Sequence, residues 1–196
     1  LKDEIIKAAN IRIVGYSDSG FRSIVSKKPI SKPDDMKGIK IRVPEVPVYV
    51  QTMKALGANP TPIPFGEVYT SLQTGVVEAM ECPSDTLYVS KMYEVTKNIV
   101  RTKHIYTDID LAINEKVYQS FPDDIKKAFD EAVAEAIKNH RKTTVDSDDG
   151  YFKKLVEAGL KESQPDVQGF KSKVKVVWDD FIKQANAQSL IDSVVN

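Results

Sequence analysis

The stretch Gly38-Ile39-Lys40-Ile41-Arg42-Val43-Pro44-Glu45 constrains the fold of this chain more than any other. Apolar Ile39, Ile41 and Val43 alternate with basic Lys40 and Arg42, which is the period of a strand with one face turned to a core. Pro44 ends the ladder because it has no N–H to contribute. From Pro47 the period changes: Val48, Tyr49, Thr52, Met53 and Leu56 recur at helical spacing until Gly57 stops the run. A strand that feeds a helix is half of an α/β unit, so the pattern predicts an α/β fold. It also puts Arg42 at a strand end, close to the unpaired N–H groups of a helix start. A guanidinium carries five fixed donors and does not neutralise itself by losing a proton. At such a place it either faces solvent or waits for a carboxylate or phosphate.

The neighbouring segments extend this pattern. Residues 1–10, beginning at Leu1, read as helical through Ile5, Ile6 and Ala9, and Ile11 to Tyr16 as a strand. Ser17 to Gly20 reads as a polar turn leading into Phe21 to Val25, with Arg22 just past a glycine-containing bend where backbone approaches a ligand closely. Pro33-Asp34-Asp35-Met36-Lys37-Gly38 has the order of one helical turn, proline first and acids at the positive end, with Ser31 available as a cap. Asn59 to Pro64 alternates proline with other residues and predicts an extended connector. Phe65 to Gly75 predicts a short helix, and Val76 to Pro83 a strand that ends at Glu81 and Cys82 before a helix over 84–93. Ligands in open α/β sheets collect outside the carboxyl ends of strands, so Arg42, Glu81 and Cys82 are expected to share one site.

Further on, 99–101 and His104 to Ile113 read as extended, and Pro122 opens a long helix with Ile125, Phe129, Ala132, Val133, Ala136 and Ile137 as its apolar stripe. A last helix joins Val174, Val177, Trp178, Phe181, Ile182 and Ala185.

Composition removes several classes of function. Lys plus Arg and Asp plus Glu both number 28, so no global field draws the chain onto nucleic acid. No apolar run has the length of a membrane-spanning helix. Cys82 is the single cysteine, which rules out an internal disulfide framework. His104 and His140 lie on different elements without metal-ligand spacing, and Asp146 to Asp149 lacks the regular ligand spacing of a Ca²⁺ loop. No nucleophile, base and orienting group converge, so neither an enzyme nor a metal or cofactor site is expected. The aromatic residues Tyr16, Phe21, Phe65 and Tyr69 bracket the segments that carry Arg22 and Arg42. Apolar walls beside a cationic anchor describe a cleft for a small anion, built for binding and not for turnover.

Gly20-Phe21-Arg22, Pro33 to Pro44, Gly57 to Glu78 and Tyr118 to Asp124 together carry a family resemblance. In order and spacing the chain resembles the solute-binding receptors of tripartite ATP-independent periplasmic (TRAP) transporters, of the dicarboxylate-receptor type. The resemblance implies a two-lobed, periplasmic-binding-protein-like α/β fold that closes on a small organic acid and hands it to the membrane permease subunits. It implies a periplasmic or otherwise extracytoplasmic, membrane-associated location, with a signal peptide in the precursor. It gives Arg42 the role of gripping the ligand carboxylate by a two-pronged salt bridge, and Arg22 a second carboxylate contact. Phe21, Phe65, Tyr69, Glu81 and Cys82 complete the expected ligand-binding set. The family usually has asparagine where this chain has Cys82, which replaces an amide by a weakly hydrogen-bonding thiol.

Receptors of this family are longer at the amino end. The resemblance therefore divides the chain into a nearly complete ligand-binding lobe over 13–103 and, over 1–12 and 104–196, a remnant of the other lobe with an inter-lobe strand and long helices. The start Leu1-Lys2-Asp3-Glu4, neither an initiator methionine nor a signal peptide, also reads as the interior or mature part of something longer. An incomplete lobe would leave an apolar sheet face open to self-association. The alternative reading of the same sequence is a truncated receptor-like module with a structural or protein-interaction role.

Overall fold

The structure, a computed structural model, describes residues 2–185 and 188–189. Leu1, where the expected first helix begins, and the rest of the region beyond 185 lie outside the described residues. In chain order the elements are α1 (Lys2–Ala9), β1 (Ile11–Phe21), β2 (Ser23–Ser26), β3 (Lys40–Val43), α2 (Pro47–Ala55), β4 (Asn59–Pro62), α3 (Val68–Thr74) and β5 (Ala79–Cys82). They continue as α4 (Ser84–Val89), β6 (Asn98–Val100), β7 (Tyr106–Asn114), α5 (Glu115–Gln119), α6 (Asp123–Glu157), β8 (Lys161–Ser163) and α7 (Val167–Ala185). The chain divides into two compact units. One runs to Gly20 and again over Tyr106–Gly150; the other covers Phe21–Ile105 and resumes at Tyr151.

The second unit holds a six-stranded sheet in the order β4-β3-β5-β2-β6-β8. β3 is parallel to β4 and β5, β2 is antiparallel to β5 and β6, and β8 is parallel to β6. Alternation along the strands supplies two cores. On one face Ile24, Ile41, Val43, Ala79 and Val100 pack with Met53 and Leu56 from the α2 segment and with Phe170 and Val174 of α7. On the other, Val25, Met80 and Ile99 pack with Val68 and Leu72 of α3, Leu87 of α4, and Phe152 and Leu155 from the end of α6. Ile39, Ile41 and Val43 share the first core, as their spacing predicts.

The proline-alternating segment 59–62 is extended, as expected, and is also a strand, β4, at the sheet edge. The N–H groups of Asn59 and Ile63 bond the carbonyls of Ile39, just before β3, and of Val43 at its end. Alternation then points the nitrogens of Pro60 and Pro62 outward, where no donor is required.

The turn before β3 is a single 3-10 turn, Pro33–Met36. Its polar contacts run opposite to the expected Ser31 cap: Asp35 Oδ2 accepts from Ser31 N at 2.8 Å, Ser31 Oγ at 2.9 Å and Lys32 N at 3.0 Å. The acid can reach back to three donors at once, and one hydroxyl cannot. α7 also departs from its expected stripe. Phe170, Val174 and Val177 are buried at helical spacing, whereas Trp178 and Phe181 are exposed.

In the first unit, β1 and β7 form a two-stranded sheet. The expected turn at Ser17 to Gly20 is absent and β1 continues through it. α6 satisfies these polar residues: Ser17 Oγ lies 2.8 Å from His140 Nδ1, Asp18 pairs with Arg141 at 3.3 Å, and Thr144 Oγ1 donates to the Asp18 carbonyl. Gly15 leaves room for the Ile137 side chain of α6, whose end would have to shift if a Cβ were present there. Of the expected α6 stripe, Phe129, Val133 and Ile137 are half-buried and Ile125 is exposed. Arg12 grips Glu115 with two bonds of 2.7 and 2.8 Å and lies over the Tyr118 ring.

Replacing Asp35 by alanine is expected to cost about 1 kcal/mol, the usual effect of losing such a cap, in denaturant titrations. Backbone bonding from Ser31 lowers the Asp35 pKa. The stabilisation is therefore full above the unfolded-state carboxylate value and fades as pH falls through the depressed folded value, a dependence that Asp35→Ala removes.

Candidate ligand-binding site

The sheet of the second unit collects its buried charges at one end. Arg42 stands opposite Met80, and Ser23 opposite Cys82. The carboxyl ends of β3 and β5 and the start of the antiparallel β2 therefore share an edge, where Arg22, Arg42, Glu81 and Cys82 lie. The segment after β6 brings Thr102 and His104 to the same end. Alternation then sorts the groups by face. Arg42, Met80 and Cys82 share one, and Glu81, opposite Ile24, is on the other.

Glu81 is fully buried, held by Arg22 and approached by His104. Arg22 Nε donates to its Oε2, and Arg22 Nη2 donates to Oε1 at 3.0 Å and to the Glu81 carbonyl at 2.9 Å. The Arg22 guanidinium carbon lies 4.9 Å from the centre of the Tyr49 ring. On the remaining side His104 Nε2 approaches Glu81 Oε2 at 3.4 Å, while His104 Nδ1 lies 2.6 Å from Thr102 Oγ1. Burial pulls the Arg22 pKa down, but hydrogen bonding and charge from Glu81 outweigh it and leave the group above the ordinary arginine value. This is a two-pronged charge pair removed from water, with its geometry satisfied.

Arg42 is only 4% exposed and has no such partner. Its Nε donates to the Ile63 carbonyl at 2.9 Å, and its guanidinium carbon lies 5.6 Å from the centre of the Phe65 ring. No carboxylate among the described residues forms an ion pair with it. Burial lowers its pKa, the opposite outcome to Arg22. Two arginines at the same sheet end thus differ in kind: one is paired with a buried carboxylate, and the other, among the described residues, is bonded to a backbone carbonyl.

Cys82, on the Arg42 face, is buried, and burial pushes its thiol up to about 11 against the pull of Arg22 and Arg42. It is a neutral wall at ordinary pH. The other residues singled out by sequence lie elsewhere on this unit. Phe21 is exposed, with Lys103 Nζ 5.4 Å from its ring centre. Tyr69 packs on the α3 core and donates its hydroxyl to Glu94 at 2.7 Å. The structure thus gathers Arg42, Phe65 and Cys82 on one side and Arg22 with Glu81 on the other, and gives Tyr69 and Phe21 partners of their own.

Sequence reasoning missed His104, Thr102, Tyr49 and the Ile63 carbonyl. For His104 the available signal was its place just after a strand. Ile63 serves through its backbone, which side-chain chemistry does not reveal.

The unit is an α/β layer on a mixed sheet with a buried arginine at the carboxyl ends of β3 and β5, and comparison identifies the family. Residues 1–184 match the model of the bacterial extracellular solute-binding proteins, family 7 (DctP), and the chain belongs to that family. These are transport receptors and not catalysts, and their place is periplasmic or otherwise extracytoplasmic.

Among its relatives are a solute-binding protein of a Sulfitobacter species, 34% identical over 99% of this chain, and the sialic acid-binding periplasmic protein of Vibrio cholerae, 31% identical over 92%. This chain spans 59% and 56% of those two proteins. Among solved structures, a TRAP periplasmic solute-binding protein from Sulfitobacter with bound α-D-taluronate superposes with a TM-score of 0.90 at 33% identity, over 98% of this chain and 63% of that one. One from Shewanella oneidensis with bound succinate gives 0.83 at 29% identity, over 89% and 58%. The two-lobed periplasmic-binding-protein-like α/β fold is that of these relatives.

Replacing Glu81 by alanine leaves Arg22 charged and buried without its partner. The expected loss of stability is about 3–5 kcal/mol, the cost of breaking a buried pair from one side, measured by denaturant unfolding.

Proposed function

We propose that the chain is the anion-anchoring part of a receptor that captures a small organic acid and delivers it to the permease subunits of a TRAP transporter. The observation that carries this reading is Arg42, a buried guanidinium with one hydrogen bond to a carbonyl and no carboxylate of its own. Burying an unpaired charge is costly and is tolerated where a ligand supplies the counter-charge. The Arg42 terminal nitrogens would meet a carboxylate with two parallel bonds, and Phe65 and Cys82 would flank it. Arg22, with Glu81 occupying its two-pronged face, would support the site by holding the end of β5 in place. Phe21 and Tyr69 would take more peripheral places. Family membership supports the reading, as do relatives solved with acids bound.

Isothermal titration calorimetry of the full-length protein against a panel of mono- and dicarboxylates tests it. Arg42→Ala is expected to weaken binding by about 2–5 kcal/mol, roughly thirtyfold to several thousandfold. An unchanged affinity in a folded Arg42→Ala protein would remove Arg42 as the anchor.

A further inference from the structure

The strand ends opposite to those that carry Arg42 and Cys82 hold a different set of charges. There the backbone ties neighbouring strands together through a run of basic residues. The Glu78 N–H donates to the Lys40 carbonyl at 2.8 Å, and the Lys27 N–H to the Glu78 carbonyl at 2.9 Å. The Lys97 N–H donates to the Ser26 carbonyl at 3.0 Å, and the Lys161 N–H to the Lys97 carbonyl at 2.9 Å. Across the consecutive strands β3-β5-β2-β6-β8, every strand but β5 therefore carries lysine at this border. At about 4.8 Å per strand the row extends over roughly 19 Å.

Lys28, Lys40, Lys97 and Lys161 are exposed, and Lys27 is half-buried. Glu78 interrupts the row and is already committed: Lys28 Nζ lies 3.2 Å from its Oε1, and bonding from Lys28 and from the Lys40 backbone holds its pKa below the usual carboxylate value. Acids on the flanking segments are engaged elsewhere, Glu94 by the Tyr69 hydroxyl and Glu157 by Lys153. Glu162 follows Lys161 and by alternation lies on the other face of β8. No carboxylate among the described residues forms an ion pair with Lys27, Lys97 or Lys161. The border is thus a line of positive charge, although the chain as a whole is neutral.

The chemistry of the row indicates what it meets. A lysine ammonium is a compact, mobile point charge without the planar fork by which arginine selects a single carboxylate or phosphate. The row contains no arginine and no aromatic anchor, the side chains that usually dominate a specific protein interface. Spread, non-directional positive charge complements spread negative charge, and an array of anionic lipid headgroups is such a surface. We infer that this border docks on an anionic phospholipid bilayer through Lys28, Lys40, Lys97 and Lys161. The row and Arg42 occupy opposite ends of the strands, so docking here is independent of whatever acid Arg42 receives.

Sedimentation of the full-length protein with vesicles tests it, comparing phosphatidylcholine containing one third phosphatidylglycerol with phosphatidylcholine alone. The expected result is partitioning onto the anionic vesicles tenfold or more above the neutral ones, falling steeply as salt is raised. Lys97→Glu/Lys161→Glu should abolish that preference. The neutral pair Lys97→Gln/Lys161→Gln should weaken it severalfold, and keeps the test where circular dichroism shows that the reversed pair does not fold. Lys138→Glu/Lys142→Glu makes the same change of net charge at exposed positions of α6 and should leave the preference within threefold. Equal partitioning onto both vesicles overturns the inference. So does an equal loss in the α6 variant, which would assign the effect to net charge and not to the row. Soluble poly-L-glutamate is the competing probe: if it displaces most of the protein at a concentration of charge equal to that of the vesicles, the partner is an acidic polypeptide and the bilayer is not.

Discussion

One carboxylate, Glu81, sets the electrostatics of the larger unit. Two guanidiniums are buried at the same end of its sheet, and only one can be satisfied from within. The strand's pleat decides which. Glu81 and Cys82 are consecutive and face opposite sides of β5, so the anion goes to the face where Arg22 enters, and the thiol goes to the face of Arg42. A one-residue slip in the pairing of β5 would exchange them and bring Glu81 to the Arg42 face. The register is held by the two cores, since Ala79 and Met80 are fully buried on opposite faces. Packing thus fixes the register, and the register keeps the Glu81 carboxylate on the face opposite Arg42.

The helices that sandwich the sheet contribute to the same end. Tyr49 of α2 lies against the Arg22 guanidinium, and the turn after β4 supplies both the Ile63 carbonyl and the Phe65 ring that flank Arg42. These are rigid supports: a backbone carbonyl in a proline-bounded segment and an aromatic ring have few alternative positions. A preorganised guanidinium loses less freedom on binding than one that must be ordered by its ligand.

Much of this was legible in the sequence. The alternation over 39–43 and the helical spacing from Pro47 fixed the β3–α2 unit, and the proline and glycine punctuation located Arg42, Glu81 and Cys82 at strand ends. Three things were not legible. Ser17 to Gly20 has the composition of a turn, yet β1 runs through it because α6, more than a hundred residues later, supplies partners for Ser17 and Asp18. The difference between Arg22 and Arg42 depends on strand pairing, which no local pattern records. The exposure of Trp178 and Phe181 depends on what α7 packs against, which the helix's own spacing does not record.

The prolines of β4 carry a consequence beyond the site. Their nitrogens point away from β3, so the outer rim of the sheet lacks donors at two of the positions where an incoming strand would need them. At the opposite rim β8 is only three residues long. An exposed sheet edge is a template for pairing with another chain, and here both borders are blunted, one by chemistry and one by brevity.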